Sequence, residues 1–224
     1  MFGPDPASNP RLADLITKAK KSSFAKSSIE AAIARGQGRS ASGESLEAVT
    51  VEGILPQNVA MIIDCETDNK SRTLMNVRLV MKEQGGSLTP TTYLFTKKGK
   101  IVFQKHEDVG VDAVFEQALE VGALDVTEDA DQQAVVFTEP TETKSVGKSM
   151  SKTLGLNIVE SEIIWDANED TKVPVETPEL AADLIRFVET LQEREPSVRG
   201  VYLNVAPGSM DEESWADFQG RLSA

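Results

Sequence analysis

The chain has one cysteine, one histidine, two tryptophans and two tyrosines among 224 residues. Cys65, alone, cannot form an internal disulfide, so the fold rests on packing, and this usage suits a reducing compartment. With His106 the only histidine, a transition-metal site lacks its usual ligands, and no cofactor is expected. Aromatic residues make up 5%, too few for broad base-stacking platforms. No apolar run approaches the roughly 18 residues of a membrane span. Nucleophile elbows, P-loops, strand-linked G-x-G-x-x-G turns and His-Glu metal motifs are all missing, so no enzyme is expected. Met1-Phe2-Gly3-Pro4-Asp5-Pro6 reads neither as a signal peptide nor as an Arg-rich presequence.

Hydrophobic residues at 40% are ample for a buried core. The net charge is -13, and it is unevenly spread. Residues 1–39 hold seven Lys/Arg against three acids, and residues 40–105 hold eight against seven. Residues 106–167 hold three against fourteen, and residues 168–224 five against twelve. A uniformly acidic protein would repel nucleic acid. Here a basic head precedes an acidic body, so phosphate contact is expected in the first half.

Asn9-Pro10 starts a helix, with Leu12, Leu15, Ile16 and Ala19 on one stripe. After Ser22-Ser23 a second helix carries Ile29, Ala32 and Ile33 and stops at Gly36. Gln37 to Glu44 reads as a linker. Val49 and Val51 alternate as in a half-buried strand, and Pro56-Gln57-Asn58 is a turn. Val59 to Ile63 is continuously apolar and reads as a central strand. A helix follows with Leu74, Val77 and Met81 inward, ending at Gly85-Gly86. Tyr93–Thr96 and Ile101–Phe103 flank Lys97-Lys98-Gly99, a hairpin signal. Further on, Val111, Val114, Phe115, Ala118 and Leu119 mark a helix, Val135–Phe137 a strand, Val146, Met150 and Leu154 a helix, and Ile158–Trp165 a strand. A helix through Leu180, Leu184, Phe187, Val188 and Leu191 and a strand from Val201 to Val205 close the pattern.

The expected class is α+β: a small helical N-terminal domain with linker (1–44), a split ferredoxin-like α/β domain (45–106 plus 173–224), and an inserted acidic α/β domain (107–172). The late helix and strand complete the split unit.

The segment Thr67-Asp68-Asn69-Lys70-Ser71-Arg72-Thr73 is the strongest candidate for chemistry. In one reading Asp68 is a structural cap, with Lys70 and Arg72 solvated. In the other, the helix N-terminus with Asn69, Lys70, Arg72 and Thr73 holds a phosphate. The basic head supplies Arg11, Lys18, Lys20, Lys21, Lys26, Arg35 and Arg39. Arg78, and Lys97 and Lys98 with Lys100 at the presumed hairpin tip, extend it. Without interleaved aromatics such side chains suit backbone contact over base reading. Cys65 reads as core and His106 as an exposed linker residue. Glu107-Asp108 and Asp129/Asp131 read as helix-start and turn residues.

Asn9-Pro10-Arg11-Leu12, Ala31-Ala32-Ile33-Ala34-Arg35-Gly36, and Thr67 to Thr73, which meets T/S-D-N-x-x-R-T, together resemble the YebC/PmpR family. The resemblance is most specific from Asn9 to Gly99. It implies a basic helical first domain and two α/β domains in a clamp. It also implies a third, N-terminal helix and basic segment that this chain lacks. The family's Y-E-G-Y-G-P-G-G stands here as Val51-Glu52-Gly53-Ile54-Leu55-Pro56-Gln57-Asn58, with its glycine pair gone, and the loop from Gly86 to Tyr93 is shorter.

Function by resemblance is a translation factor on the ribosome or mRNA, supporting synthesis of cytochrome c oxidase subunit one in the mitochondrial matrix. The divergence suits an organellar member. Expected partners are rRNA or mRNA and basic ribosomal proteins, with the chain monomeric. The alternative is a transcriptional regulator on DNA, and a third reading is a small-molecule-sensing module.

Overall fold

The computed structural model describes residues 3–40, 43–105, 109, 111–129 and 132–223. The readings of His106, Glu107, Asp108 and Asp131 fall outside the described residues. Helices α1 (Pro10–Lys21) and α2 (Lys26–Arg35) open the chain. Asn9 caps α1, its side chain accepting from the Leu12 amide at 3.2 Å, and Pro10 takes the first turn, where its missing N–H is not needed.

The first sheet runs β3 (Ser87–Leu88), β1 (Glu47–Leu55), β2 (Val59–Thr67), β9 (Val198–Leu203), all neighbours antiparallel. One face is covered by α3 (Lys70–Glu83), α6 (Pro178–Arg194) and, through the buried Phe218, α7 (Glu212–Ser223). The apolar run of β2 proves to be buried on both faces. Val59, Met61, Ile63 and Cys65 join the helices' core, while Ala60 and Ile62 meet Phe95 and Ala167 of the second sheet. On that second face Asp64 accepts from Thr50 at 2.6 Å and from the Trp165 indole at 2.9 Å. Asn204 joins the same seam: its side chain accepts from the Ala60 amide at 2.7 Å and donates to the Thr171 carbonyl at 2.7 Å. The short parallel pair of β8 (Val173–Pro174) and β10 (Val205–Ala206) lies beside it.

The second sheet runs β5 (Asp125–Glu128), β6 (Ala134–Thr138), β4 (Phe95–Phe103), β7 (Ile158–Ala167). With α4 (Val111–Glu120) and α5 (Thr143–Leu154), the chain order β4-α4-β5-β6-α5-β7 is a complete β-α-β-β-α-β sandwich. The first unit has the same layering, but its inner strand β1 comes first in the chain. α6 and β9 complete that unit from far downstream.

The expected hairpin at Lys97-Lys98-Gly99 does not exist. Residues 95–103 form one strand, and it pairs with β6 and β7 in the second sheet, not with the first. Gly99 is there for close approach, not for a turn. A Cβ on it would fall 1.9 Å from the Thr143 hydroxyl and 2.4 Å from that of Thr138, which are hydrogen-bonded to each other at 3.0 Å. Helix α4 forms over the expected residues. Val114 and Ala118 are buried, but Phe115 and Leu119 are exposed. Helix α7 was not foreseen, although Trp215, Phe218 and Leu222 have helical spacing.

At the turn between β1 and β2, Gln57 and Asn58 hold φ of 63° and 62°. The chain keeps there the left-handed backbone that a glycine pair would adopt without strain.

Two stability outcomes are expected. Gln57→Gly should stabilise the protein by about 0.5–1 kcal/mol in denaturant melts, since left-handed strain is relieved at some entropic cost. Gly99→Ala should destabilise it by about 2 kcal/mol, as the inserted methyl forces α5 away from β4.

Candidate functional site

The strand β2 delivers the Thr67–Thr73 segment to the start of α3, where it closes on itself. The Thr67 hydroxyl accepts from the Asn69 amide at 3.0 Å and from the Thr73 hydroxyl at 2.9 Å. The Asn69 side chain accepts from the Arg72 amide at 3.0 Å and is the N-cap. Asp68 is therefore not the cap. Its carboxylate lies on the Arg72 guanidinium at 2.6 Å and steers that side chain. Thr73, expected at a ligand, is fully buried and also lies 3.3 Å from the Ser197 hydroxyl, so its role is internal. Asn69, Lys70 and Arg72 are exposed at the helix mouth. Helix dipole and unpaired first-turn amides make that mouth favourable for an anion.

A cleft of about 430 Å³ opens beside it. Arg35 reaches it from α2, Arg72 from α3, Arg194 from the end of α6 and Arg199 from β9. Arg194 is paired with Glu83, and Arg199 with Glu66 at 3.1 Å. At its floor the buried Glu195 accepts from the Asn76 side chain at 2.9 Å and from the Ser197 amide at 3.2 Å. Arg194 and Arg199 carried no local signal in the sequence, since only folding brings them to Arg72. Arg78 is exposed on α3, and so is Lys82, which was not singled out although it stands four residues on.

Elsewhere the expected basic patch divides. Lys18, Lys20 and Lys21 are exposed in and beside the last turn of α1, with no carboxylate in ion-pair range among the described residues. The Arg11 side chain is outside the described set. Lys26 is spanned by Glu30 at 3.6 Å, and Arg39 is exposed where its backbone bridges Ser45. Lys97 and Lys98 do not extend the patch. Being adjacent in β4, they point to opposite faces. Lys97 sits 4.5 Å over the Trp165 ring, while Lys98 meets Asp166 at 2.6 Å and Lys100 meets Glu160 and Glu162 at 3.3 and 3.4 Å. The acidic strand β7 lies directly alongside and neutralises Lys98 and Lys100.

Cys65 is buried, and burial pushes its thiol up to about 11, the reverse of an activated nucleophile. Among the described residues no cluster of acids, His and Cys could hold a metal, and no helix is long and apolar enough to cross a membrane.

The molecule is thus an α+β protein of one helical unit and two α/β sandwiches, with exposed cations that have no ion-pair partner among the described residues on α1, α2, α3 and, as Lys144, Lys148 and Lys152, on α5. Residues 46–205 match the family described as TACO1/YebC second and third domain, and residues 1–39 match the TACO1/YebC protein N-terminal domain. The chain belongs to the TACO1/YebC family. It is 38% identical over 205 residues to a protein of Nitrosococcus oceani named "Probable transcriptional regulatory protein", covering 90% of this chain and 79% of that one. A protein of the same name from Mycobacteroides abscessus is 34% identical, with coverage of 91% and 79%. The crystal structure of a conserved hypothetical protein, Aq1575, from Aquifex aeolicus superposes with a TM-score of 0.66 at 34% identity, over 92% of this chain and 83% of that one. The relatives' names describe regulators, not enzymes.

Asn69→Ala should cost about 1 kcal/mol of stability through loss of the cap. Asp68→Ala should cost less, because an exposed ion pair contributes under about 1 kcal/mol. Equal losses in thermal melts would contradict the assignment of the cap to Asn69.

Proposed function

We propose that this chain is a non-enzymatic regulator of gene expression that works by binding nucleic acid through its first half. The observation that carries this is the excess of exposed, unpaired cations over acids in its first half. Lys18, Lys20, Lys21, Lys70, Arg78 and Lys82 are exposed without an ion-pair partner among the described residues, whereas in the second sandwich Lys98 and Lys100 are held by acids and the exposed Lys144, Lys148 and Lys152 stand in a stretch, 106–167, of three cations against fourteen acids. On a protein of net charge -13, unpaired cations favour a polyanion locally while the acidic remainder limits loose, non-specific attachment.

The names of the bacterial relatives favour transcription, with DNA as the target. A second reading is translation, with rRNA or mRNA as the target and basic ribosomal proteins meeting the acidic body. The mitochondrial matrix and cytochrome c oxidase subunit one belong to that reading. It is favoured by the outward stripe of α3, which carries no amide side chain for reading adenine.

Footprinting on promoter DNA and cosedimentation with ribosomes at low and moderate salt separate the two. One protected promoter sequence without ribosome association supports transcription. Salt-sensitive cosedimentation without a footprint supports translation. In either case Lys18→Glu with Lys21→Glu should weaken binding several-fold and lower the salt dependence by about one unit per lost phosphate contact. Absence of both signals would remove the nucleic-acid reading.

A further inference from the structure

The outer face of α3 has a composition that solvation alone does not account for. Its inner stripe is Thr73, Val77, Val80 and Met81, all buried. The opposite stripe runs Ser71, Met75, Arg78, Leu79 and Lys82, with Lys70 and Arg72 at the amino end. Met75 is 65% exposed and Leu79 is 51% exposed, one helical turn apart. Lys70, Arg78 and Lys82 are exposed and have no carboxylate in ion-pair range among the described residues. The helix's one acid, Glu83, is held by Arg194. Two apolar side chains are thus framed by cations on the surface of an acidic protein. The charge selects an anionic partner, and the apolar pair requires that partner to offer non-polar surface between its charges.

Groove geometry narrows the choice among nucleic acids. From Ser71 to Lys82 the ridge is about 16 Å long, and a helix with side chains is about 10 Å wide. The minor groove of B-form DNA, about 6 Å wide, does not admit it. The DNA major groove does, but it would set the middle of the ridge on base edges. That middle is Met75, Arg78 and Leu79, with Arg78 its one base-edge donor, and the nearest amide, Asn76, is committed to the buried Glu195. The minor groove of A-form RNA is wide and shallow and lined by ribose. A helix can lie across it with apolar side chains on the sugars and cations at the flanking phosphates.

We propose that the outer face of α3 docks in the minor groove of an A-form RNA duplex. Met75 and Leu79 rest on ribose, and Arg78 and Lys82 contact phosphates. Recognition is then by shape and by the 2′-hydroxyls, with little dependence on sequence. This rests on the nucleic-acid reading above and sides with its RNA form.

The test is fluorescence anisotropy of the full chain with an RNA duplex of about 20 base pairs, long enough to present two minor grooves. The DNA duplex of the same sequence, either RNA strand alone, and polyglutamate are the comparisons. The RNA duplex should bind at least about tenfold more tightly than the DNA duplex, with Arg78→Glu plus Lys82→Glu weakening it about tenfold or more. Met75→Ser plus Leu79→Ser should weaken the RNA duplex several-fold and leave DNA binding unchanged. All four side chains are exposed, and circular dichroism confirms that the variants fold. Equal or tighter binding of duplex DNA, preference for the single strand, preference for polyglutamate, or indifference of folded variants would each overturn the proposal. DNA or single-strand preference leaves the nucleic-acid reading standing, whereas loss of every nucleic-acid signal removes both.

Discussion

A strand with two buried faces organises this molecule. From Val59 to Ile63 every side chain of β2 is withdrawn from water, and no single layer of helices can do that. One side is covered by α3, α6 and α7. The other is covered by the second sheet, through Phe95, Ala167 and the half-buried Trp165. Each buried Val, Ile or Met contributes on the order of 2 kcal/mol, so the two sheets are joined by the same burial that builds the first of them. The half-buried Asp64 accepts from Thr50 of its own sheet and from the Trp165 indole of the second, and the latter bond ties the two sheets at that point.

The candidate surface inherits its orientation from that strand. β2 leads without slack into the Thr67–Thr73 turn, whose hydroxyls are spent on one another and on Ser197. With Thr73, Val77, Val80 and Met81 drawn into the core, helical geometry leaves Met75, Arg78, Leu79 and Lys82 facing out, and Lys70 is exposed as the first residue of the helix. A structural cap and an exposed cationic face are therefore two sides of one helix start. The alternatives posed by the sequence, cap or phosphate site, do not compete for the same atoms, since Asn69 caps and the lysine and arginines stand outside.

Charge layout follows from pairing as much as from composition. β4 carries Lys98 and Lys100, and β7, beside it, carries Glu160, Glu162 and Asp166. Alternation sends each set to one face, and the cations are neutralised there. On α1 and α3 the neighbouring acids are few or engaged elsewhere, and the lysines and Arg78 keep their charge available. On α5 of the second sandwich Lys144, Lys148 and Lys152 are exposed and without an ion-pair partner among the described residues too, so the polarity is one of local charge balance and not of free cations alone.

Local pattern was enough for most elements. Asn9-Pro10 started α1, the run at Val59 was a central strand, the spacing of Leu180 to Leu191 was a helix, and the T/S-D-N-x-x-R-T segment located the start of α3. These signals arise within one turn or one strand, so sequence by itself determined them. Gly99 is different, because a glycine between lysines signals a turn unless one knows that Thr143 packs on it. The convergence of Arg35, Arg72, Arg194 and Arg199 on one cleft, the outward turn of Phe115 and Leu119, and the neutralisation of Lys98 were likewise decided only by tertiary structure. Each depends on a partner tens of residues away, and no periodicity within a segment encodes which distant surface will lie against it.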